Sequence, residues 1–165
     1  IKAGEVQYVG LLREYFLYDH KPYPVTLTLP RKSHLYDVMA GEYVGFTDTV
    51  ETEISYQAHL YAMLPYRVES LEITGPDTVA EGGKSEFRIA VKPGDGTEPS
   101  LHAFRVEVSD PRGERMPCYA ENLIAENGRA EYRIDWALNE QPGTYLIQAV
   151  DIASGSVQEK QVQVK

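Results

Sequence analysis

From Val68 to Val164 apolar residues recur at every second position, run after run: Phe87, Ile89, Val91; Phe104, Val106, Val108; Tyr132, Ile134, Trp136; Tyr145, Ile147, Ala149. A period of two belongs to strands with one buried face. Turn signals rich in Gly, Pro, Asp and Asn stand between the runs: GPDTVAEGGK, KPGDGTEPS, DPRGE, AENG, NEQPGT and ASGS. The runs predict about seven strands, at 67–74, 84–92, 102–109, 114–119, 129–137, 143–151 and 156–164. Seven short strands in roughly 100 residues is the pattern of an immunoglobulin-like sandwich. The Cys…Trp…Cys spacing of antibody domains is absent, since the chain has one Cys and one Trp. Trp136 shares its phase with Tyr132 and Ile134 and is expected inside. Glu131, Arg133 and Asp135 are expected to face water.

The chain before Val68 reads differently. Residues 4–17, GEVQYVGLLREYFL, place Val6, Val9, Leu12 and Phe16, with Leu11 and Tyr15, at spacings of three and four. That spacing predicts an amphipathic helix, ended by Pro22 and Pro24. The period then changes to two. PVTLTLP, HLYDV, EYVGF, TVETEISY and AHLYAMLPY predict five short strands and a small antiparallel sandwich. Such a unit is small for an independent core and is expected to lean on the helix or on the next unit. LPYRV marks the boundary, giving units at 1–66 and 67–165.

One frame occurs in both units: Asp37-Val38-Met39-Ala40-Gly41 and Asp151-Ile152-Ala153-Ser154-Gly155. A repeated carboxylate invites a metal or catalytic reading. A hairpin reading is mechanically complete: Asp bonds its own backbone two residues on, and Gly supplies a positive φ. DPRG at Asp110–Gly113 is a third Asp-initiated turn. The hairpin reading predicts φ > 0 at Gly41 and Gly155, and backbone partners for Asp37 and Asp151.

Other chemistry is sparse. Glu51 and Glu53 share one face of a predicted strand, which reads as a solvated face rather than an acid pair. His20, His34, His59 and His102 lack metal-ligand spacing, although His34 and His59 are candidates to meet across two strands. Cys118 allows neither an intrachain disulfide nor a cysteine zinc cluster, and is expected half-buried near a loop. There is no G-x-S-x-G elbow and no Walker loop. Tyr43, Tyr56, Tyr61 and Tyr66 are candidates for an exposed aromatic strip, the kind of platform that sugar binding needs. A net charge of -9 argues against nucleic acid and anionic membranes as partners. No run reaches the length of an apolar membrane span.

The segment from Pro24 to Val68, with its YD-plus-Gly hairpin and closing LPY, resembles the small C-terminal accessory β-sandwich that follows the catalytic domain of bacterial glycoside-hydrolase-like proteins. LLREYFL ahead of it resembles the last helix of such a preceding domain. His102 to Val164, through its PGTY strand entry and DIASG hairpin, resembles bacterial immunoglobulin-like modules of the macroglobulin or fibronectin III style. The resembled domains are non-catalytic, so no catalytic, cofactor-binding or metal-binding residue is carried over. The expectation is a mainly β chain of two tandem antiparallel β-sandwiches, the second immunoglobulin-like, with one short N-terminal helix. Its expected role is that of a non-enzymatic, cofactor-free accessory region of a larger secreted bacterial protein, extracellular or periplasmic. Its expected partner is an upstream carbohydrate-active domain of the same polypeptide. The alternative is a carbohydrate- or protein-binding module.

Overall fold

A computed structural model describes residues 2–3, 5–13 and 21–165 of the chain. The strands are β1 (Lys2–Ala3), β2 (Val6–Leu11), β3 (Tyr23–Asp37), β4 (Glu42–Ile54), β5 (His59–Leu64), β6 (Val68–Thr74), β7 (Thr78–Val79), β8 (Lys84–Pro93), β9 (His102–Ser109), β10 (Glu121–Ala125), β11 (Arg129–Asp135), β12 (Gly143–Asp151) and β13 (Val157–Val164). They form three sheets, ordered β1-β2-β5-β3-β4, β10-β9-β12-β13-β7 and β11-β8-β6.

In the first sheet, the four short strands expected at Pro24–Tyr56 fuse into one long hairpin, β3–β4. The register is interrupted between Thr28 and Ser33, where β3 bends. The far half of the hairpin thereby folds back over the sheet. Leu27, Leu29 and Val50 from that half pack with Leu35, Tyr61, Met63, Val9 and Leu11 in a small core. The Tyr61 hydroxyl reaches Thr52 Oγ1 of the folded-back half at 3.0 Å. So the expected small sandwich is one open sheet turned over on itself.

The predicted helix over 4–17 is not present among the described residues. Residues 6–11 are β2, paired antiparallel to β5, and positions 14–17 lie outside the described residues. The cause is burial on two faces. Val6 enters the large core and Tyr8 packs against it, while Val9 and Leu11 enter the small one. A strand buried on both faces carries apolar residues in both phases, and spacings of three and four then appear without a helix.

The other two sheets pack face to face. Phe87, Ile89, Tyr132 and Ile134 from one sheet meet Phe104, Val106, Tyr145 and Ile147 from the other in one buried cluster. Outward residues of β8 and β11 form charged cross-strand pairs, Lys84 with Asp135 and Glu86 with Arg133. β7 runs parallel to β13, so the first part of this unit contributes β6 to one sheet and β7 to the other. This is an immunoglobulin-like sandwich. The strand expected at 114–119 is instead a 3-10 turn at Pro117–Tyr119, followed by β10. β7 was hidden inside a stretch that reads as a turn.

The large core does not end at residue 66. It contains Val6, Tyr36, Ala62 and Leu64 of the first sheet together with the sandwich interior. At about 25 cal/mol per Å² of apolar surface removed from water, this continuity binds the first sheet to the sandwich with ordinary core energetics.

Candidate functional site

The repeated Asp-to-Gly frame builds the joint between first sheet and sandwich. In the β3–β4 turn, Asp37 Oδ1 accepts the N–H groups of Met39 and Ala40, each at 3.0 Å, and its carbonyl accepts from Gly41 at 2.8 Å. In the β12–β13 turn the Asp151 carbonyl accepts from Gly155 at 2.8 Å, and Oδ2 accepts the N–H of Ser154 at 3.0 Å. Gly41 and Gly155 have φ of 69° and 72°. The hairpin reading therefore holds for both, and the two turns touch: a Cβ on Gly155 would sit 2.4 Å from the Gly41 Cα.

Asp151 also does something Asp37 does not. Its Oδ1 lies 2.7 Å from His102 Nδ1, and both side chains are fully buried. His102 Nε2 lies 2.7 Å from the Tyr66 hydroxyl, whose oxygen accepts the Ser100 N–H at 2.7 Å. With Asp151 accepting at Nδ1, Nε2 takes the Tyr66 hydroxyl hydrogen, and the row is paired throughout. Nearby, the Tyr36 hydroxyl accepts the Val68 N–H at 2.8 Å. Among the described residues no buried side-chain nitrogen or oxygen lacks a partner. Burial pushes Tyr66 up to about 12, with the Asp151 charge acting in the same direction and the Ser100 bond against it. An Asp–His–hydroxyl row resembles a charge relay, but this one has no solvent-facing atom to offer a substrate. It acts as a clamp: a low-dielectric setting makes satisfied bonds strong and unsatisfied ones costly.

Beside the joint lies an open groove of about 420 Å³, lined by His34, Arg67, Glu69, Gly94 and Asp95. Neither Tyr43 nor Phe46 lines it, but both touch residues that do, and the aromatic wall they form beside the groove comes from a β-bulge. Leu35 pairs with Gly45 and Tyr36 with Tyr43, so Val44 is an extra residue on β4. Without it, Tyr43 and Phe46 would point to opposite faces. With it, both share the face of His34 and Tyr36. Ring centroids lie 4.9 Å apart for His34 and Phe46, and 5.9 Å for His34 and Tyr43. His34 Nδ1 is 2.9 Å from the Tyr43 hydroxyl. The Arg67 guanidinium sits over the Tyr43 ring at 4.8 Å, a cation–π contact. Partial burial lowers the His34 pKa, with Asp95 opposing and Arg67 assisting. The Thr97 N–H holds Asp95 below the usual carboxylate range.

The remaining candidates separate. Of the expected tyrosine strip, Tyr61 and Tyr66 are core residues, while Tyr43 and Tyr56 are exposed. His34 and His59 do not meet: one pairs with Leu64, the other with Leu11. Glu51 and Glu53 are exposed on β4. Cys118 is exposed rather than half-buried, because the 3-10 turn carries it outward. Trp136 is buried, and its Nε1 donates to Ser85 Oγ at 2.8 Å. A larger depression, of about 760 Å³, lies between the paired strands β8 and β11 and the 3-10 turn that leads into β10. Its charges are engaged with one another, as in Lys84–Asp135 and Arg133–Glu86. Sequence reasoning missed the pairing of His102 with Tyr66 and Asp151, and it missed Phe46 and the groove residues Arg67, Glu69 and Asp95. Among the described residues no group of three His, Cys, Asp or Glu is placed to hold a metal.

No family model matches the chain, and no curated protein matches it. Three solved structures to which it is similar illustrate the range. One is the CARDB domain of the PF1109 protein of Pyrococcus furiosus, in complex with di-metal ions: 21% identity, 58% of this chain and 86% of that one, TM-score 0.41. Another is the PKD domain of an M14-like peptidase from a Thermoplasmatales archaeon: 17% identity, 58% of this chain and 92% of that one, TM-score 0.33. The third is a conjugative transposon lipoprotein of Bacteroides eggerthii: 16% identity, 56% of this chain and 94% of that one, TM-score 0.36.

Proposed function

We propose that this chain is a non-catalytic accessory region of a larger secreted bacterial protein, extracellular or periplasmic. Its two units, 1–66 and 67–165, act as one stiff piece that spaces or presents an upstream carbohydrate-active domain. The observation carrying this reading is the buried Tyr66–His102–Asp151 row set inside a core shared by both units. A flexible tether between independent modules has no use for a sealed polar clamp, whereas a spacer that must hold an angle does. Among the described residues, no helix is long and apolar enough to cross a membrane.

The test is calorimetric and enzymatic. A single cooperative unfolding transition for the chain is expected, with no turnover on a panel of glycosides. Two separate transitions, or a pH-dependent turnover abolished by one carboxylate substitution, would overturn the reading. A second reading, that of a carbohydrate- or protein-binding module, is favoured by the exposed aromatic wall that stands beside the His34–Arg67 groove.

A further inference from the structure

We infer that the groove at the corner between the first sheet and the sandwich is a binding subsite for a neutral saccharide, a proposal that rests on the binding-module reading above. Beside the groove Phe46 is 60% exposed and offers the open ring, while Tyr43, 37% exposed, has Arg67 over its ring and Tyr36 against it and offers its hydroxyl edge. The extra residue Val44 is what turns them to one side. Pyranose rings carry an apolar C–H face and a rim of hydroxyls. They are met by an exposed aromatic face beside side chains that both donate and accept. Those side chains are present. Arg67 offers donors, Glu69 and Asp95 offer acceptors, and the Tyr43 hydroxyl with the His34 imidazole offers both.

Charge decides among ligand classes. Among the described residues no carboxylate forms an ion pair with Arg67. Its guanidinium is held by stacking on Tyr43 and its N–H groups remain for a ligand. Arg67 disfavours a cationic guest, while Glu69 and Asp95 disfavour an anionic one. A nucleic acid is disfavoured by the same carboxylates and by the net charge of -9. Among the described residues, the exposed rings that touch His34 are those of Phe46 and Tyr43, a footing for one sugar ring rather than the patch of about 800 Å² that each partner of a standard protein interface covers. The groove is open at the surface, which suits a chain of sugar units lying across it rather than one enclosed small molecule. A neutral polyhydroxylated ligand is the class that meets these conditions.

The experiment uses the whole chain and four neutral oligosaccharides: cellohexaose, xylohexaose, mannohexaose and fully N-acetylated chitohexaose. Titration followed by NMR shift changes is expected to show saturation by at least one of them in the high-micromolar to millimolar range. The shifts should centre on His34, Tyr43, Phe46 and Arg67. Phe46→Ala is expected to weaken that binding by about tenfold or more, equivalent to the loss of one aromatic contact. Phe46 is exposed, so its variant should unfold with the wild-type midpoint. Arg67→Ala gives a second, fold-neutral probe and is expected to weaken binding several-fold.

No saturation by any of the four at about 5 mM overturns the proposal. So does saturation that both variants leave unchanged. If shifts saturate at another surface, the groove assignment fails while the binding-module reading stands. If none of the four binds, the stiff accessory role is still judged separately, by calorimetry.

Discussion

Gly41 and Gly155 face each other across the joint so closely that a Cβ on Gly155 would lie 2.4 Å from both the Cα and the carbonyl oxygen of Gly41. The reverse is not true, since a Cβ on Gly41 would have its nearest neighbour at 3.6 Å. The two hairpins share a sequence frame, but only one of them is sterically locked. Gly41→Ala is expected to cost about 1–2 kcal/mol, the penalty of a left-handed alanine. Gly155→Ala adds a clash with backbone that cannot rotate away, about 1–3 kcal/mol more. Urea denaturation of the two variants measures the asymmetry. Equal losses would mean that the tips do not meet in solution.

The buried row Tyr66–His102–Asp151 makes a second prediction. Removing one member of a buried charged or polar pair strands the other without water. His102→Leu and Asp151→Leu should each cost about 3–5 kcal/mol. The double variant should cost clearly less than the sum, because the partner left behind by either single change is also removed. Tyr66→Phe takes away the acceptor for Ser100 N–H and the donor for His102, at about 1–3 kcal/mol. Additive losses in the double-mutant cycle would show that the row is not coupled.

Much of this architecture was legible in the sequence. Inward residues of β8, β9, β11 and β12 followed from strict alternation, because each of these strands has one core face and one wet face. The turns followed from Asp and Gly at the required offsets. What was hidden has physical reasons. β2 is covered on both sides, so its alternation vanished and a helix pattern took its place. The His102–Asp151 contact spans 49 positions in the chain, and spacing rules see only near neighbours. A signal was nonetheless there. His102 shares the inward phase of Phe104 and Val106, and Asp151 that of Ile147 and Ala149, on two strands that pair. A histidine and a carboxylate inside one core must find each other. The aromatic groove was not legible, since Tyr43 and Phe46 are three apart and fall on opposite faces of any regular strand.

Alkaline titration supplies a third prediction. Burial, the largest cause in each case, raises the pKa of Tyr8, Tyr36, Tyr66, Tyr119, Tyr132 and Tyr145. Tyr66 and Tyr119 reach about 12. For Tyr119 and Tyr145 the shared acceptor Glu140 adds to the rise. A phenol whose folded pKa is raised contributes stability that is whole below its ordinary value, about 10. That contribution drains away as pH rises through the folded value. Stability should therefore fall steeply from about pH 10 to 12, and the last tyrosines should ionise together with loss of near-ultraviolet circular dichroism. A single reversible ionisation of every tyrosine, with the fold intact, would contradict the burial described here.

The bulge at Val44 gives the last prediction, because it separates the shape of the groove from the stability of the fold. Deleting Val44 removes the irregularity between Leu35 and Tyr36 from the β3–β4 ladder and shifts the parity of one side of the register. The short segment at the turn, Glu42 and Tyr43, is the part free to follow. The folded-back half of β4 is held by Val50 in the small core and by the Thr52–Tyr61 bond. Phe46 should then keep its face while Tyr43 turns to the other, leaving the Arg67 guanidinium without its ring. Phe46–His34 contacts in nuclear Overhauser spectra should persist while Tyr43–His34 contacts disappear. The cost should be modest, about 1–2 kcal/mol, since Tyr43 and Val44 are both exposed. A deletion that unfolds the chain would instead make the bulge part of the clamp, and retained Tyr43–His34 contacts would show that the bulge does not set the aromatic wall.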